Sequence, residues 1–297
     1  MITPPISRTG RGLKNIYIPP LKTYADSNNL ETLSPTSNEL KDLNYKLKIR
    51  PTIILTASYG YLIPHELLSI VSPNNALNVH PSLLPKLRGA APIQWAIAKG
   101  MKETGVTIQT MQNEVFDSGD ILNQIAHTID ERSTFTSLSH EMGPLAGKLL
   151  VQTLENLNYY KTSIRKQDKD KITYAPKLHR NIGFIDFKSM DAHEIDRRYR
   201  AFSHQRSLSA FLINSKSLHQ LHDISVSGDG HKYFDESDEE GTAKLMKTSL
   251  LIRCLNNSYL EVNSLKPTGK RIMNAYDWWN GFSYRQPKIK FIKYDSE

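Results

Sequence analysis

Two short apolar runs, residues 51–57 (PTIILTA) and 76–80 (ALNVH), restrict this chain more than any other feature. Both are too short to be helices that bury a face, and each touches a proline: Pro51 opens the first and Pro81 stops the second. Nearly continuous apolar strands are the kind buried on both faces of a parallel sheet. A helix should follow, because Pro92 suits a first helical turn, where its missing N–H would be unpaired anyway. Ile93, Ala96 and Ile97 give that helix an apolar face, and Gly100 ends it. Residues 105–111 then alternate, with Val106, Ile108 and Thr110 on one side and Thr107, Gln109 and Met111 on the other. Residues 119–129 continue as another strand after a tight turn at Asp117-Ser118-Gly119. Ser133 or Thr134 can cap a long helix whose face is Leu138, Met142, Leu145, Leu149 and Leu154. Pro144 is expected to kink or interrupt it. Strands alternating with helices indicate an α/β layer fold.

The pattern changes after Asn158. Residues 159–180 carry Lys161, Arg165, Lys166, Lys169, Lys171, Lys177 and Arg180 against only Asp168 and Asp170, which reads as an interdomain linker. Short strand-like pieces follow at 182–187, 249–255 and 259–264, so a compact, mostly β domain is expected. Its acidic stretch, 229–240, reads as a solvated insertion. The chain of 297 residues thus divides into a first domain (1–158), a basic linker (159–172) and a second domain (173–297). The first 22 residues hold Arg8, Arg11, Lys14 and Lys22 and no acid, and Pro4, Pro5, Pro19 and Pro20 rule out an amphipathic transit helix. They read as a basic loop of the mature fold.

Lys and Arg exceed Asp and Glu by 38 − 30 = 8, a balance that favours polyanionic partners and says nothing about fold. The one cysteine, Cys254, excludes an intramolecular disulfide and suits a reducing compartment. It lies in LLIRCL, where a small buried hydrophobe is expected rather than a nucleophile. No apolar segment approaches the roughly 20 residues that cross a bilayer, so a soluble chain without a membrane partner is expected.

Asn78 and His80 lie two apart at the end of a strand, so both project from one face. Pro81 holds His80 extended, and the carboxyl ends of strands are where open α/β sheets bind ligands. Taken singly these residues decide little. A histidine near a strand end is more often structural, and Asp117-Ser118-Gly119 is ordinary turn chemistry. The histidines show no metal-ligand spacing.

Read in order, the segments decide more. Residues 78–85 (NVHPSLLP), 88–94 (RGAAPIQ), 104–107 (TGVT) and 117–120 (DSGD) closely resemble the folate-dependent formyltransferase family. Within it, RGAAPIQ resembles the methionyl-tRNA branch rather than the purine-pathway relatives. Residues 7–12 (SRTGRG) resemble the family's flexible loop toward the tRNA acceptor end, with Arg11 as its arginine. Residues 59–64 (YGYLIP) resemble the segment lining the pteridine pocket. Residues 173–178 (TYAPKL) resemble the start of the family's C-terminal domain, and 265–270 (LKPTGK) with Met273 and Gly281 resemble its closing motif.

The resemblance implies a Rossmann-like catalytic domain with a parallel sheet, followed by a small OB-like β-barrel domain. It implies transfer of formyl from 10-formyltetrahydrofolate, a co-substrate, to the amino group of methionyl initiator tRNA, with no metal and with a monomeric chain. Combined with a Lys/Asn-rich composition and the Asn-Val-His-Pro form, it implies the mitochondrial matrix. It assigns Asn78 and His80 to the formyl oxygen, where negative charge develops as the amine attacks. Asp117 is assigned to the imidazole and to a water that relays a proton from the amine to the folate nitrogen. Tyr59, Gly60, Tyr61, Leu62, Ser82 and Phe116 fall to the folate. Arg11, Lys161, Arg165, Lys166, Lys169 and Lys171 fall to tRNA phosphates. Arg88 stays open between ordering its loop through carbonyls and touching substrate.

Two stretches depart from the family pattern. Family members begin with a strand, a helix and a second strand before the Gly-Arg-Gly loop, and Met1-Ile2-Thr3-Pro4 falls at about the end of that second strand. The first βαβ unit is therefore expected to be missing from the catalytic domain, and the chain to be unstable alone. After Phe202, Ser203-His204-Gln205-Arg206 stands where a Pro/Trp-rich turn is usual. The competing readings are a formyltetrahydrofolate hydrolase, a formyltransferase for a sugar nucleotide, and an inactive tRNA-binding remnant.

Overall fold

The basic front of the chain pairs with itself instead of lying as a loop. The computed structural model describes the whole chain except Gly10, Pro73, Asn113, Glu114, Asn214, Lys216, 283–288, 294–297 and the side chains of Arg11 and Phe282. Strands β1 (Ser7–Thr9) and β2 (Asn15–Tyr17) are antiparallel, with Ser7 opposite Tyr17 and Thr9 opposite Asn15. Pro20 then opens helix α1 (Pro20–Ser27), and a single turn, α2 (Leu43–Lys46), follows.

The apolar runs form the expected strands, β3 (Ile54–Ala57) and β4 (Ala76–His80), which pair in parallel across the short α3 (His65–Leu68). Helix α4 (Pro92–Ala98) begins at Pro92 as the sequence indicates. The sheet continues through β5 (Glu103–Thr110) and β6 (Ile121–Thr128) in the order β3-β4-β5-β6. β5 runs antiparallel to β4, so one parallel pair carries an antiparallel extension. Leu77, Val106 and Ile108 are fully buried. Helix α5 (Phe135–Glu155) runs through Pro144 without a break. Its cap is Thr134, whose hydroxyl accepts the Ser137 N–H at 3.1 Å, while the Ser137 hydroxyl accepts the Thr134 N–H at 3.0 Å. Leu138, Met142 and Leu149 are buried along its face.

The stretch expected as a linker is built into the first compact unit, which comprises Met1–Ala90, Gly105–Ala126 and Gly143–Tyr174. Its residues form α6 (Leu157–Thr162) and then bond back to the sheet. Arg165 and Ile121 exchange backbone hydrogen bonds at 2.9 and 2.8 Å, and the Arg88 N–H donates to the Thr173 carbonyl at 2.9 Å. A charge run therefore does not make a free connector where its backbone finds partners.

The second unit comprises Ala91–Thr104, His127–Met142 and Ala175–Glu297. Asp191 caps α7 (Ala192–Phe202) by accepting the Glu194 N–H at 2.7 Å. After it come β7 (Ser209–Leu212), β8 (Ser217–Val226), β9 (Thr242–Met246), β10 (Ser249–Cys254), β11 (Ser258–Pro267), β12 (Met273–Asn274), α8 (Ala275–Phe282) and β13 (Ile289–Ile292). The order β10-β9-β13-β7-β8-β11 is closed by β10 pairing with β11, which makes a six-stranded barrel with β12 added to β11. Leu221, Leu250, Ile252, Leu260, Val262, Trp278 and Phe291 fill it. Cys254 belongs to that core, and burial pushes its thiol well up, so it is the inert hydrophobe expected.

Two expectations for this unit need correction. Residues 182–187 form no strand; they hold a short turn and a single bridge from Phe184 to Ser209. Ile185 and Phe187 alternate into the barrel core, which gives a strand-like pattern without a ladder. The acidic stretch is also not merely solvated. Phe234 stacks on Tyr259 with centroids 5.2 Å apart, and buried Asp238 pairs with Lys244 at 2.5 Å. At 203–206, where the chain departs from the family's Pro/Trp-rich turn, His204 stacks on Phe135 at 3.8 Å.

Candidate active site

Strand register places three polar side chains in a row across the apolar sheet. Thr56 on β3 lies opposite Asn78 on β4, and Asn78 lies opposite Gln109 on β5. Asp117 reaches this row from the turn between β5 and β6. Its Oδ1 accepts from Gln109 Nε2 at 2.9 Å, lies 3.3 Å from His80 Nδ1, and is 3.4 Å from Asn78 Nδ2. Its Oδ2 accepts the Gly89 N–H at 2.9 Å. Burial alone would raise the Asp117 carboxyl. The hydrogen bond and charge of His80, the Gly89 N–H and the Gln109 amide outweigh that and hold it below the usual carboxylate range.

A carboxylate can only accept, so the Asn78 atom that faces Asp117 is its NH₂. The Asn78 Oδ1 then accepts the Thr56 hydroxyl at 2.7 Å, which fixes the orientation of the amide. The 3.4 Å separation is too long to occupy the NH₂ fully, so Asn78 presents a donor beside Asp117. His80 is only 4% exposed. Its Nε2 lies 3.0 Å from the Leu87 carbonyl, so both ring nitrogens face acceptors, and a ring carrying both protons satisfies both.

Below this layer Arg88 is buried, and its Nε and Nη2 donate to Gln167 Oε1 at 2.9 and 2.7 Å. Gln167 Nε2 donates in turn to the carbonyls of Asp117, at 2.8 Å, and Gly119, at 2.7 Å. The Arg88 side chain thus orders the loop through an intermediary. Sequence reading missed Thr56, Gln109 and Gln167. Thr56 and Gln109 become visible once strand pairing is known, because both interrupt apolar strands beside Asn78.

The other expected site residues divide by exposure. The Tyr59 and Tyr61 rings meet edge to face at 5.6 Å over a cluster of Leu40, Leu43, Ile63 and Leu67. Burial, then the neighbouring Tyr61, push the Tyr59 hydroxyl up, and that hydroxyl has no hydrogen-bond partner among the described residues. Gly60, at φ +83°, and Leu62 are exposed, as is Phe116 beside Asp117. Ser82 turns inward and donates its hydroxyl to the Lys86 carbonyl at 2.6 Å, so it is a turn residue with no donor left for a ligand. Lys166 and Lys169 are exposed, and Arg165 is exposed with Nη2 3.4 Å from Gln124 Oε1. Lys171 pairs with Asp168, and Lys161 is held by Asn75. The Arg11 side chain lies outside the described residues. No group of histidine, cysteine and carboxylate side chains among the described residues could hold a metal ion.

An amide donor, an imidazole and a carboxylate brought to one sheet, in a chain that continues into a closed barrel, define an enzyme that works on a carbonyl group. The chain matches the family described as formyl transferase over residues 2–154, and formyl transferase, C-terminal domain, over residues 177–283. It belongs to the formyl transferase family. It is 34% identical to the methionyl-tRNA formyltransferase of Thermotoga maritima over 243 residues, 81% of this chain and 76% of that one. With the methionyl-tRNA formyltransferase of Caldicellulosiruptor saccharolyticus it shares 32% over 293 residues, 97% of this chain and 90% of that one. Among solved structures, HypX from Aquifex aeolicus in complex with tetrahydrofolic acid aligns at a TM-score of 0.60 and 17% identity, over 92% of this chain and 48% of that one. An N-formyltransferase from Helicobacter canadensis, bound to folinic acid and dTDP-3-aminofucose, aligns at 0.57 and 16%, over 82% and 81%. At those identities the structural likeness speaks for the fold alone.

Proposed function

We propose that the chain transfers the formyl group of 10-formyltetrahydrofolate to the α-amino group of methionyl initiator tRNA. The observation that carries this is the meeting of Asn78, His80 and Asp117 in a chain whose near-full-length relatives are methionyl-tRNA formyltransferases. The amine nitrogen bonds to the formyl carbon, the bond from that carbon to the folate nitrogen breaks, and the amine proton passes to the folate. Formyl-methionyl-tRNA and tetrahydrofolate result. Asn78 NH₂ donates to the formyl oxygen as charge builds there, and His80, oriented by Asp117, supplies positive charge beside it. Asp117 stays ionised and orders the water that moves the proton. Exposed Gly60, Leu62 and Phe116, with half-buried Tyr59 and Tyr61, supply a partly aromatic surface for the pteridine.

The test is the purified chain with 10-formyltetrahydrofolate and charged initiator tRNA, with formyl-methionyl-tRNA as the product measured. Formate release without tRNA would favour a hydrolase, and formylation of an amino-sugar nucleotide would favour a different acceptor. Asn78→Ala should lower kcat by about 100-fold or more, the usual effect of losing one oxyanion donor.

Lys166 and Lys169, with Arg11 and Arg165, are proposed to meet tRNA phosphates. Lys166→Ala with Lys169→Ala should raise the KM for tRNA and reduce the slope of its log–log salt dependence by roughly 0.7–0.9 for each phosphate that is no longer neutralised. An unchanged slope would remove these lysines from the tRNA surface. The chain is proposed to act as a monomer, which sedimentation checks. The mitochondrial matrix is likewise a proposal. It rests on composition and the Asn-Val-His-Pro form, the named relatives being bacterial, and import of a tagged chain tests it.

A further inference from the structure

We infer that Gln167 is a positioning residue for this reaction: it holds the Asp117 turn in the shape that presents the carboxylate to His80 and Asn78. The inference rests on the formyl-transfer reading of Asp117.

Hydrogen-bond polarity fixes the orientation of the Gln167 amide. A guanidinium only donates, so the Gln167 atom that receives both Arg88 Nε and Nη2, at 2.9 and 2.7 Å, is the amide oxygen. Its other end is then NH₂, with two protons to give. Two carbonyls take them, Asp117 O at 2.8 Å and Gly119 O at 2.7 Å. One side chain therefore ties the first and third residues of the turn and leaves no donor over. The buried Arg88 makes this orientation compulsory, because a flipped amide would set donor against donor.

The turn needs holding. Asp117 sits at φ +56°, in the left-handed region that a residue with a Cβ adopts at a cost. Its carboxylate reaches three side chains and one backbone N–H from there, so a shift of the backbone disrupts all of these interactions together.

A bland alternative is that Gln167 merely pins residues 163–174 to the rest of the unit. That stretch is already pinned without it. Arg165 and Ile121 bond in both directions at 2.8–2.9 Å, Arg88 N–H donates to the Thr173 carbonyl at 2.9 Å, and the Thr173 hydroxyl accepts from Leu87 N–H at 2.9 Å. The bonds special to Gln167 go to the turn, and its Nε2 also lies 3.4 Å from Oε1 of Gln109, whose own amide donates to Asp117. Its neighbours in the chain, Lys166 and Asp168, are exposed, while Gln167 is half-buried and faces inward. A tRNA-facing role in the basic stretch and a site-facing role are thus separable by residue.

Gln167→Glu separates them by experiment. The carboxylate still accepts from Arg88, so the buried guanidinium keeps its partner, but the two turn carbonyls now face an acceptor. Steady-state kinetics should show kcat lowered by on the order of 10- to 100-fold, the effect of displacing a reacting group by a fraction of an ångström to an ångström. The KM values for tRNA and folate should change by less than about threefold. Gln167→Met should lose as much activity and also stability, because it strands Arg88. Wild-type kcat in folded Gln167→Glu, or a loss confined to the KM for tRNA, overturns the inference. Hydrogen exchange supplies a reading that needs no activity. The Asp120 N–H donates to Thr110 Oγ1 and the Ile121 N–H to the Arg165 carbonyl, and both should exchange faster in Gln167→Glu while the barrel is unaffected. If the wild-type chain forms no formyl-methionyl-tRNA, the functional reading fails. Faster exchange confined to 116–121 would still support the positioning role, and unchanged exchange would still overturn it.

Discussion

Asp117→Asn reduces formyl transfer to on the order of one-thousandth, within the range for losing a positioned acid–base group. The reason is a count of donors. The carboxylate receives His80 Nδ1, Gln109 Nε2 and Asn78 Nδ2 on one oxygen and the Gly89 N–H on the other. An asparagine offers one oxygen, so its NH₂ must face either Gly89 or the three side chains. Both orientations set donor against donor in a buried place, at a cost of about 1–3 kcal/mol in stability. The pH dependence identifies the cause. Because Asp117 is held below the usual carboxylate range when folded, its charge stabilises the fold above the unfolded value of about 3.9, and that stabilisation is lost as pH falls through the folded value. The stability gap between wild type and variant should be full at neutral pH and shrink below about pH 4. A gap that widened in acid would mean Asp117 is not the ionised partner. By the same sign, a fall in wild-type rate between about pH 5 and 7 does not come from Asp117.

The legible part of this site follows the period of a strand, and the illegible part follows its partners. Asn78 and His80 could be placed together because residues two apart share a face. Asp117 could be added only through the order of the surrounding motifs, since Asp-Ser-Gly alone is a turn. Thr56 and Gln109 were hidden because they flank Asn78 across the sheet, and strand pairing is not written along the chain. The antiparallel β4–β5 step was hidden for the same reason. Gln167 was masked by its setting: the cations at 161, 165, 166, 169 and 171 read as solvated or tRNA-facing, and nothing local marks the one side chain that turns inward. In the second unit β10 and β11 were legible as apolar runs. β8 was not, because in SLHQLHDISV the buried His219 breaks the apolar alternation that signals a strand. The barrel was expected from resemblance, and its closure by β10–β11 pairing came from the structure.

Gly119→Ala should be among the most damaging single changes to the fold that leave every charged group in place. An added Cβ would lie 1.6 Å from the Thr110 carbonyl oxygen and 3.0 Å from the Thr110 hydroxyl. The first atom is backbone in β5, which is paired to β4 with Thr110 opposite Leu77, so it cannot swing aside as a flexible side chain would. The turn must move instead. Moving it breaks the bonds from Thr110 N–H to the Asp120 carbonyl and from Asp120 N–H to Thr110 Oγ1, both 2.9 Å, and takes the Gly119 carbonyl off Gln167. The expected destabilisation is about 3 kcal/mol, the upper part of the range for overpacking, or roughly 6–12 °C in Tm. Gly147→Ala is the control. That glycine lies within α5 with nothing within 4 Å of an added Cβ, so the same methyl should stabilise by about 0.5–1 kcal/mol through helix propensity. Opposite signs in thermal unfolding, with kcat falling only in Gly119→Ala, would place the damage at the Asp117 turn. Equal and small effects would mean that the turn is not packed against β5 as described.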